Sequence, residues 1–224
     1  VECVCVNCEP TGEFAHNPEP LPSNLVELCE AVVANGADFG ISVDPDVDRL
    51  ALICENGQPF GEEYTLVSVA DYLLSRIYNE ALETGKSIEE IAAPYQMVTS
   101  SNLSSSRALR DVTEQYGGEY CTAAVGEVNV TTKMREAGAL IGGEGNGGVI
   151  YPALHYGRDA MVGVALFLTN LAYKKMKVSE LRASYPEYVI AKNKIELSDS
   201  AHIDRILEEV KTAYAAEDIN TIDG

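Results

Sequence analysis

Positive charge is scarce in this sequence. Against 35 Asp and Glu there are 16 Lys and Arg, a formal net charge of -19 over 224 residues. A nucleic-acid groove or an anionic membrane is read by a basic face, so no nucleic acid and no membrane is expected as a partner. A small anionic substrate is not excluded, because a pocket can be locally positive inside an acidic protein. Long apolar runs are missing too: nothing approaches the roughly 18 residues of a membrane span, and no signal-peptide pattern is visible. Histidine is sparse. His16, His155 and His202 each stand apart from any Ser or Cys in a triad pattern, so none is assigned a catalytic role.

The six cysteines lie at 3, 5, 8, 29, 54 and 121, with no second pair at zinc-finger spacing. Alternation of Cys3 and Cys5 with Val4 and Val6 predicts a buried strand over 1–8, with free thiols packed as small hydrophobes. A reducing, cytoplasmic location fits that reading. With 46% hydrophobic residues the chain can build a packed core.

Strand-like and helix-like segments alternate. After a proline-rich loop over 9–23, a helix is expected from Leu25 to Asn35, capped by Ser23 or Asn24, with Leu25, Leu28, Cys29 and Val32 on one face and Gly36 ending it. Strands are expected at 38–43, 50–54, 91–99, 119–125, 139–142, 149–151 and 188–197. Helices are expected at 64–82, 129–137, 158–175, 179–183 and 202–214, with a loop leading into a further helix over 101–117. The pattern predicts an α/β architecture with mixed, partly parallel sheets flanked by helices. Ligands in such sheets sit at the loops after the strands' carboxyl ends. The chain starts at Val1 inside a strand-like stretch and ends in a hairpin-like Asn220-Thr221-Ile222-Asp223-Gly224, so it reads as a fragment.

Two loops carry chemistry. Asp44, Asp46 and Asp48 alternate between two apolar runs, and Pro45 favours extended geometry, so the three carboxylates converge on one side. Their repulsion is relieved either by solvent or by a hard divalent cation such as Mg²⁺. Arg49 either grips a phosphate or serves as counter-ion. The second loop, Gly143-Glu144-Gly145-Asn146-Gly147-Gly148, fits neither a dinucleotide fingerprint nor a Walker loop. Glu144 and Asn146 are its only side chains, suited to sugar hydroxyls, with glycines that let a ligand approach. A plain turn is the other reading. The serines from Ser100 to Ser106 read as a helix cap.

Taken together, the acidic loop, the glycine-rich loop and Gly157-Arg158-Asp159-Ala160-Met161 resemble the α-D-phosphohexomutases. Gly36 to Ile41, Ser104 to Leu109 and Val125 to Val128 support the resemblance, which covers nearly the whole chain. It implies a multi-domain phosphohexomutase-like fold: residues 1–56 as the second part of domain two, 57–187 as domain three, and 188–224 as the start of domain four. It implies an enzyme that moves a phosphoryl group between the 1- and 6-positions of a hexose or hexosamine phosphate, through a phosphoserine and a bisphosphate. Asp44, Asp46 and Asp48 would hold Mg²⁺, Arg49 would steady the phosphoryl group as the catalytic side chain, and Glu144 and Asn146 would bind the sugar. The serine loop and the phosphate-gripping loop would belong to the remaining domains of a longer chain, and this fragment alone would be inactive. Phe14-Ala15-His16-Asn17-Pro18 echoes the family's serine loop, but Ala15 cannot carry a phosphoryl group. Departures from the family are Pro45 where Gly is frequent, Ala124 where Lys is frequent, and Asn146 and Gly148 where Ser and His are frequent. GEGNGG is closest to phosphoglucosamine and phosphomannose mutases. The rival readings are a non-catalytic sugar-phosphate binding module and, less well supported, a Mg²⁺-dependent phosphatase.

Overall fold

A computed structural model describes residues 2–191, 202–217 and 219–223. The chain divides into a unit ending at Tyr188 and a second beginning at Val189.

The first unit starts irregularly, and here the sequence expectation fails. Residues 2–8 form no strand, and Cys3, Cys5 and Cys8 are exposed rather than buried. Alternation supplies strand propensity but not a partner, and an unpaired strand leaves its backbone donors and acceptors to water. The proline-rich loop ends in a 3-10 turn, Pro22–Asn24, and helix α1 follows over Val26–Asn35. Neither Ser23 nor Asn24 caps it; Leu25 occupies that position without a side-chain bond. Gly36 closes the helix at φ 58°, as expected. The predicted face holds: Leu25 and Val32 are buried, and Leu28 and Cys29 pack beside them.

Strands β1 (Phe39–Val43) and β2 (Leu50–Cys54) form an antiparallel pair around the acidic loop. β2 is buried throughout, because its two faces serve two cores. Ala51 and Ile53 face α1, while Leu50, Leu52 and Cys54 enter the main core. Helix α2 (Glu62–Thr84) lies on that core with Leu66, Val67, Ala70 and Leu74 buried.

Next come α3 (Ile88–Ala92) and β3 (Gln96–Asn102). The strand expected from residue 91 therefore starts five residues late. Ser87 accepts the Glu90 N–H and caps a helical turn, and Pro94 interrupts the chain before pairing begins. The remaining elements are α4 (Ala108–Gln115), β4 (Glu119–Ala123), α5 (Glu127–Ala137), β5 (Ala139–Glu144), β6 (Gly148–Ile150), α6 (Ala160–Lys174) and α7 (Val178–Ala183). The sheet order is β4-β3-β5-β6; β3 runs parallel to β4 and β5, and β6 is antiparallel to β5. The mixed, partly parallel sheet flanked by helices is the expected class. Phe167 seals the core between Phe39 and Phe60, at ring separations of 6.2 and 5.3 Å.

In the second unit the described regular element is α8 (Ile203–Ala213), close to the expected 202–214. Its Ile203, Ile206, Leu207 and Val210 are exposed. Of the strand expected near 188–197, residues 188–191 are irregular and 192–197 lie outside the described residues.

Candidate functional site

The acidic loop and the glycine-rich turn meet at one seam. Arg49 pairs with Gly148 as an antiparallel bridge, and the Leu50 N–H donates to the Gly147 carbonyl at 3.0 Å. The seam sits beside the carboxyl ends of β1 and β5, where the sequence pattern places ligands.

Asp44 is the anchor of the acidic loop. It is 2% exposed. Its Oδ1 accepts the backbone N–H groups of Asp48 and Arg49, each at 3.0 Å, and its Oδ2 accepts Arg49 Nε at 2.8 Å. Burial opposes its charge, but these donors more than offset burial and hold the carboxyl below the usual range. Val47, between Asp46 and Asp48, takes φ 59°, a left-handed conformation that a β-branched residue adopts only under strain. Two bonds hold it there: its N–H donates to the Asp44 carbonyl, and its own carbonyl accepts the Ala160 N–H at 3.0 Å.

One oxygen from each of Asp44, Asp46 and Asp48 lies within 4.8 Å of the others. Asp46 is exposed and Asp48 partly buried. The Asp48 carboxyl is pushed up to about 6 by burial, and further by Asp44 and Asp46, although Arg158 opposes the rise. Its Oδ1 is buried and makes no hydrogen bond among the described residues, Arg49 Nε standing off at 3.7 Å. An orphaned carboxylate oxygen beside two further carboxylates suits a hard divalent cation. Arg49 also reaches Glu19 through Nη1 at 3.3 Å, so it is engaged with carboxylates on both sides.

The glycine-rich stretch is a hairpin rather than a free loop. Gly143 and Glu144 belong to β5 and Gly148 to β6, leaving 145–147 as the turn. Its glycines are crowded by protein. A Cβ at Gly147 would come within 2.5 Å of the Leu50 carbonyl oxygen, and one at Gly145 would collide with the Glu63 carboxylate. The glycines thus give clearance to the chain itself, where the sequence suggested room for a ligand. Glu144 is 6% exposed. Asn102 Nδ2 donates to its Oε1 and Arg158 Nη1 to its Oε2, each at 2.7 Å. Asn146 turns its Oδ1 to the Gly148 N–H at 3.2 Å and stays half-buried.

Arg158 was assigned no role from the sequence. Its guanidinium contacts Asp48 through Nη2 and Glu144 through Nη1, and its Nε lies 3.4 Å from Glu127 Oε2. It reaches that place because Ile150 bridges Arg158 and the Asp159 N–H donates to the Val149 carbonyl, while Asp159 caps α6 through the Val162 N–H. The helix start at Asp159 was a readable signal; the direction of the preceding arginine was not.

The four residues expected at the acidic loop are together, and Glu144 is joined to them through Arg158. Asn146 lies one turn away on the same hairpin. His155 sits 3.0 Å from Asp159 and outside the seam.

The profile described as phosphoglucomutase/phosphomannomutase, alpha/beta/alpha domain III matches residues 66–188, and that for domain II matches residues 1–57. A phosphoglucomutase/phosphomannomutase of Thermococcus kodakarensis is 35% identical over 99% of this chain and 45% of its own length. A phosphoglucosamine/phosphogalactosamine mutase of Sulfurisphaera tokodaii is 30% identical over 94% of this chain and 43% of its own. The crystal structure of a phosphoglucomutase/phosphomannomutase family protein from Burkholderia thailandensis superposes with a TM-score of 0.62 at 26% identity, over 78% of this chain and 34% of that one. The chain spans about half the length of the curated relatives it matches. Among the described residues no helix is long and apolar enough to cross a membrane.

Proposed function

The chain belongs to the phosphoglucomutase/phosphomannomutase family, and from that premise we propose that it forms the metal-loop and sugar-loop part of a phosphohexomutase. The reaction moves a phosphoryl group between the 1- and 6-positions of a hexose or hexosamine phosphate. The observation that carries this reading is the seam itself: the acidic loop and the glycine-rich turn share backbone bonds and a common arginine.

Asp44 organises the acidic loop, and Asp44, Asp46 and Asp48 would each offer one oxygen toward a divalent cation. Mg²⁺ is the proposed ion; when bound, it neutralises charge at a phosphoryl group in transfer. Arg49 supplies a second positive charge beside that position. Glu144, fixed by Asn102, presents a charged acceptor for hydroxyls, and Asn146 an amide on the same turn. A carboxylate has lone pairs beyond the two contacts Glu144 makes here, so it can serve a sugar without leaving Asn102. Residues 1–56 would contribute to domain two, 57–187 would form domain three, and the segment from 188 would open domain four. The phosphoserine and the grip on the substrate's distal phosphate are assigned to the parts of the relatives that this chain does not match. A cytoplasmic location suits a sugar-phosphate substrate and thiols left free.

The test is conversion of hexose and hexosamine 1-phosphates to the 6-phosphates by the full-length protein, with Mg²⁺ and a catalytic amount of sugar bisphosphate. Turnover lost in Asp46→Asn is the expected result. Saturable sugar-phosphate binding with no turnover of any tested substrate would replace the enzyme by a binding module.

A further inference from the structure

Asp48 and Arg158 form an ion pair in which each partner keeps one atom unsatisfied. Five buried side-chain atoms lack a hydrogen-bond partner among the described residues, and two of them are Asp48 Oδ1 and Arg158 Nε. A buried donor or acceptor left unpaired is costly, and few persist in native proteins without a reason. The contact itself joins Arg158 Nη2 to Asp48 Oδ2, while Asp48 Oδ1 has only Arg49 Nε at 3.7 Å and Arg158 Nε only Glu127 Oε2 at 3.4 Å, so the pairing is a compromise rather than a closed structural tie. Arg158 is stretched across three carboxylates from three segments: Asp48 on the acidic loop, Glu127 at the start of α5 and Glu144 at the end of β5. Its side chain is 18% exposed, so the cluster is poorly screened by water.

We propose that Arg158 is an internal stand-in for the cation of the acidic loop: it holds Asp48 while the loop is empty and releases it when a divalent cation binds. It is a positioning residue, and the proposal rests on the metal-loop reading above. Two consequences follow from charge alone. A guanidinium at Asp48 competes with a divalent cation for the same carboxylate. And because its other nitrogen is bonded to Glu144, release from Asp48 alters the hold on Glu144, so ion occupancy is communicated to the turn at 145–147. A structural brace would act the other way, since removing it would disorder Asp48 and weaken cation binding. Gly148 supports the assignment, because a Cβ there would lie 2.5 Å from Arg158 Cδ. The hairpin leaves that space to the arginine.

The test is a Mn²⁺ titration of this chain and of Arg158→Gln, followed by paramagnetic broadening at residues 43–49, together with a Mg²⁺ titration followed by amide shifts at 145–147. The proposal expects roughly tenfold tighter Mn²⁺ binding in Arg158→Gln, from removal of a competing unit charge. It also expects Mg²⁺-dependent shifts at 145–147 that are present in the wild type and absent in the variant. Wild-type binding with equal or weaker binding in the folded variant overturns the proposal and leaves the metal-loop reading intact. No binding by either chain overturns both. Binding by the variant alone also overturns the proposal, because the arginine would then block the loop permanently instead of releasing Asp48 to the ion. Should Arg158→Gln fail to fold, the wild-type Arg158 Nε–H resonance decides: it must move with the loop amides as Mg²⁺ is added, and a stationary signal overturns the proposal.

Discussion

The Arg158 side chain runs through the space that a side chain at residue 148 would fill: a Cβ on Gly148 would lie 2.5 Å from Arg158 Cδ and 3.2 Å from its Cγ. Gly148→Ala must therefore displace the arginine or the hairpin. Overpacking of this kind typically costs about 1–3 kcal/mol. Denaturant unfolding of the variant should show a loss in that range, and an unchanged midpoint would mean that the arginine has a second path.

Asp48 makes stability and ion binding depend on pH with a definite sign. Its carboxyl is raised from the ordinary 3.8 to about 6. A raised acid favours the folded state while protonated, so its contribution is fully present below about 4 and is lost as pH rises through about 6. Asp48→Asn removes that dependence. In ion-free buffer the variant should gain on the wild type as pH rises from 4 to 7, by up to about 3 kcal/mol from the shift. Mg²⁺ requires the ionised carboxylate, so its apparent affinity for the wild type should fall on acidification through about 6. Thermal melts of both proteins across that range, with and without Mg²⁺, check both signs.

Val47 is the strained residue of the acidic loop, at φ 59° and 38% exposed. Asparagine tolerates the left-handed region better and loses little burial here. Val47→Asn should stabilise the protein by about 1 kcal/mol. Differential scanning calorimetry reads this directly, and a destabilised variant would show that the valine side chain does more than its exposure suggests.

Asp71 is the hub of a buried polar network away from the seam. It accepts the Tyr116 and Tyr185 hydroxyls, each at 2.8 Å, and Lys174 Nζ at 2.6 Å. Burial, with Asp71 adding to it, pushes both tyrosines well above their usual ionisation range, so they remain donors throughout physiological pH. Asp71→Ala strands three donors at once. It should cost about 3–5 kcal/mol, the usual effect of breaking a buried charged pair. Adding Tyr185→Phe to that background should cost less than the same change made alone, which a double-mutant cycle would show.

Local signals in the sequence carried the elements that are self-contained. Helix α1 could be read because Leu25, Leu28, Cys29 and Val32 share a face and Gly36 stops it. β2 could be read as a continuous apolar run because both of its faces are covered. What escaped depended on partners. The 2–8 segment has strand alternation but joins no strand among the described residues. The start of β3 was masked by Ser87, whose cap turns residues 88–92 into a helix. At the seam, the carboxylates announced themselves through spacing, since like charges so close need an explanation wherever they fall. Arg158 did not, because its meaning comes from Asp48 and Glu144, residues 110 and 14 positions away that only tertiary structure brings to it. The glycines of the hairpin were visible as glycines, yet their reason, the approach of Leu50 and Glu63, lies in other elements.

β2 places Leu50, Leu52 and Cys54 in the same core as Leu66, Val67 and Phe167. The two family profiles nevertheless meet between residues 57 and 66. That junction is a border between profiles without being a border in folding. A chain cut at that junction would leave the Leu50, Leu52 and Cys54 face of β2 uncovered on one piece and deprive Arg158 of Asp48 on the other.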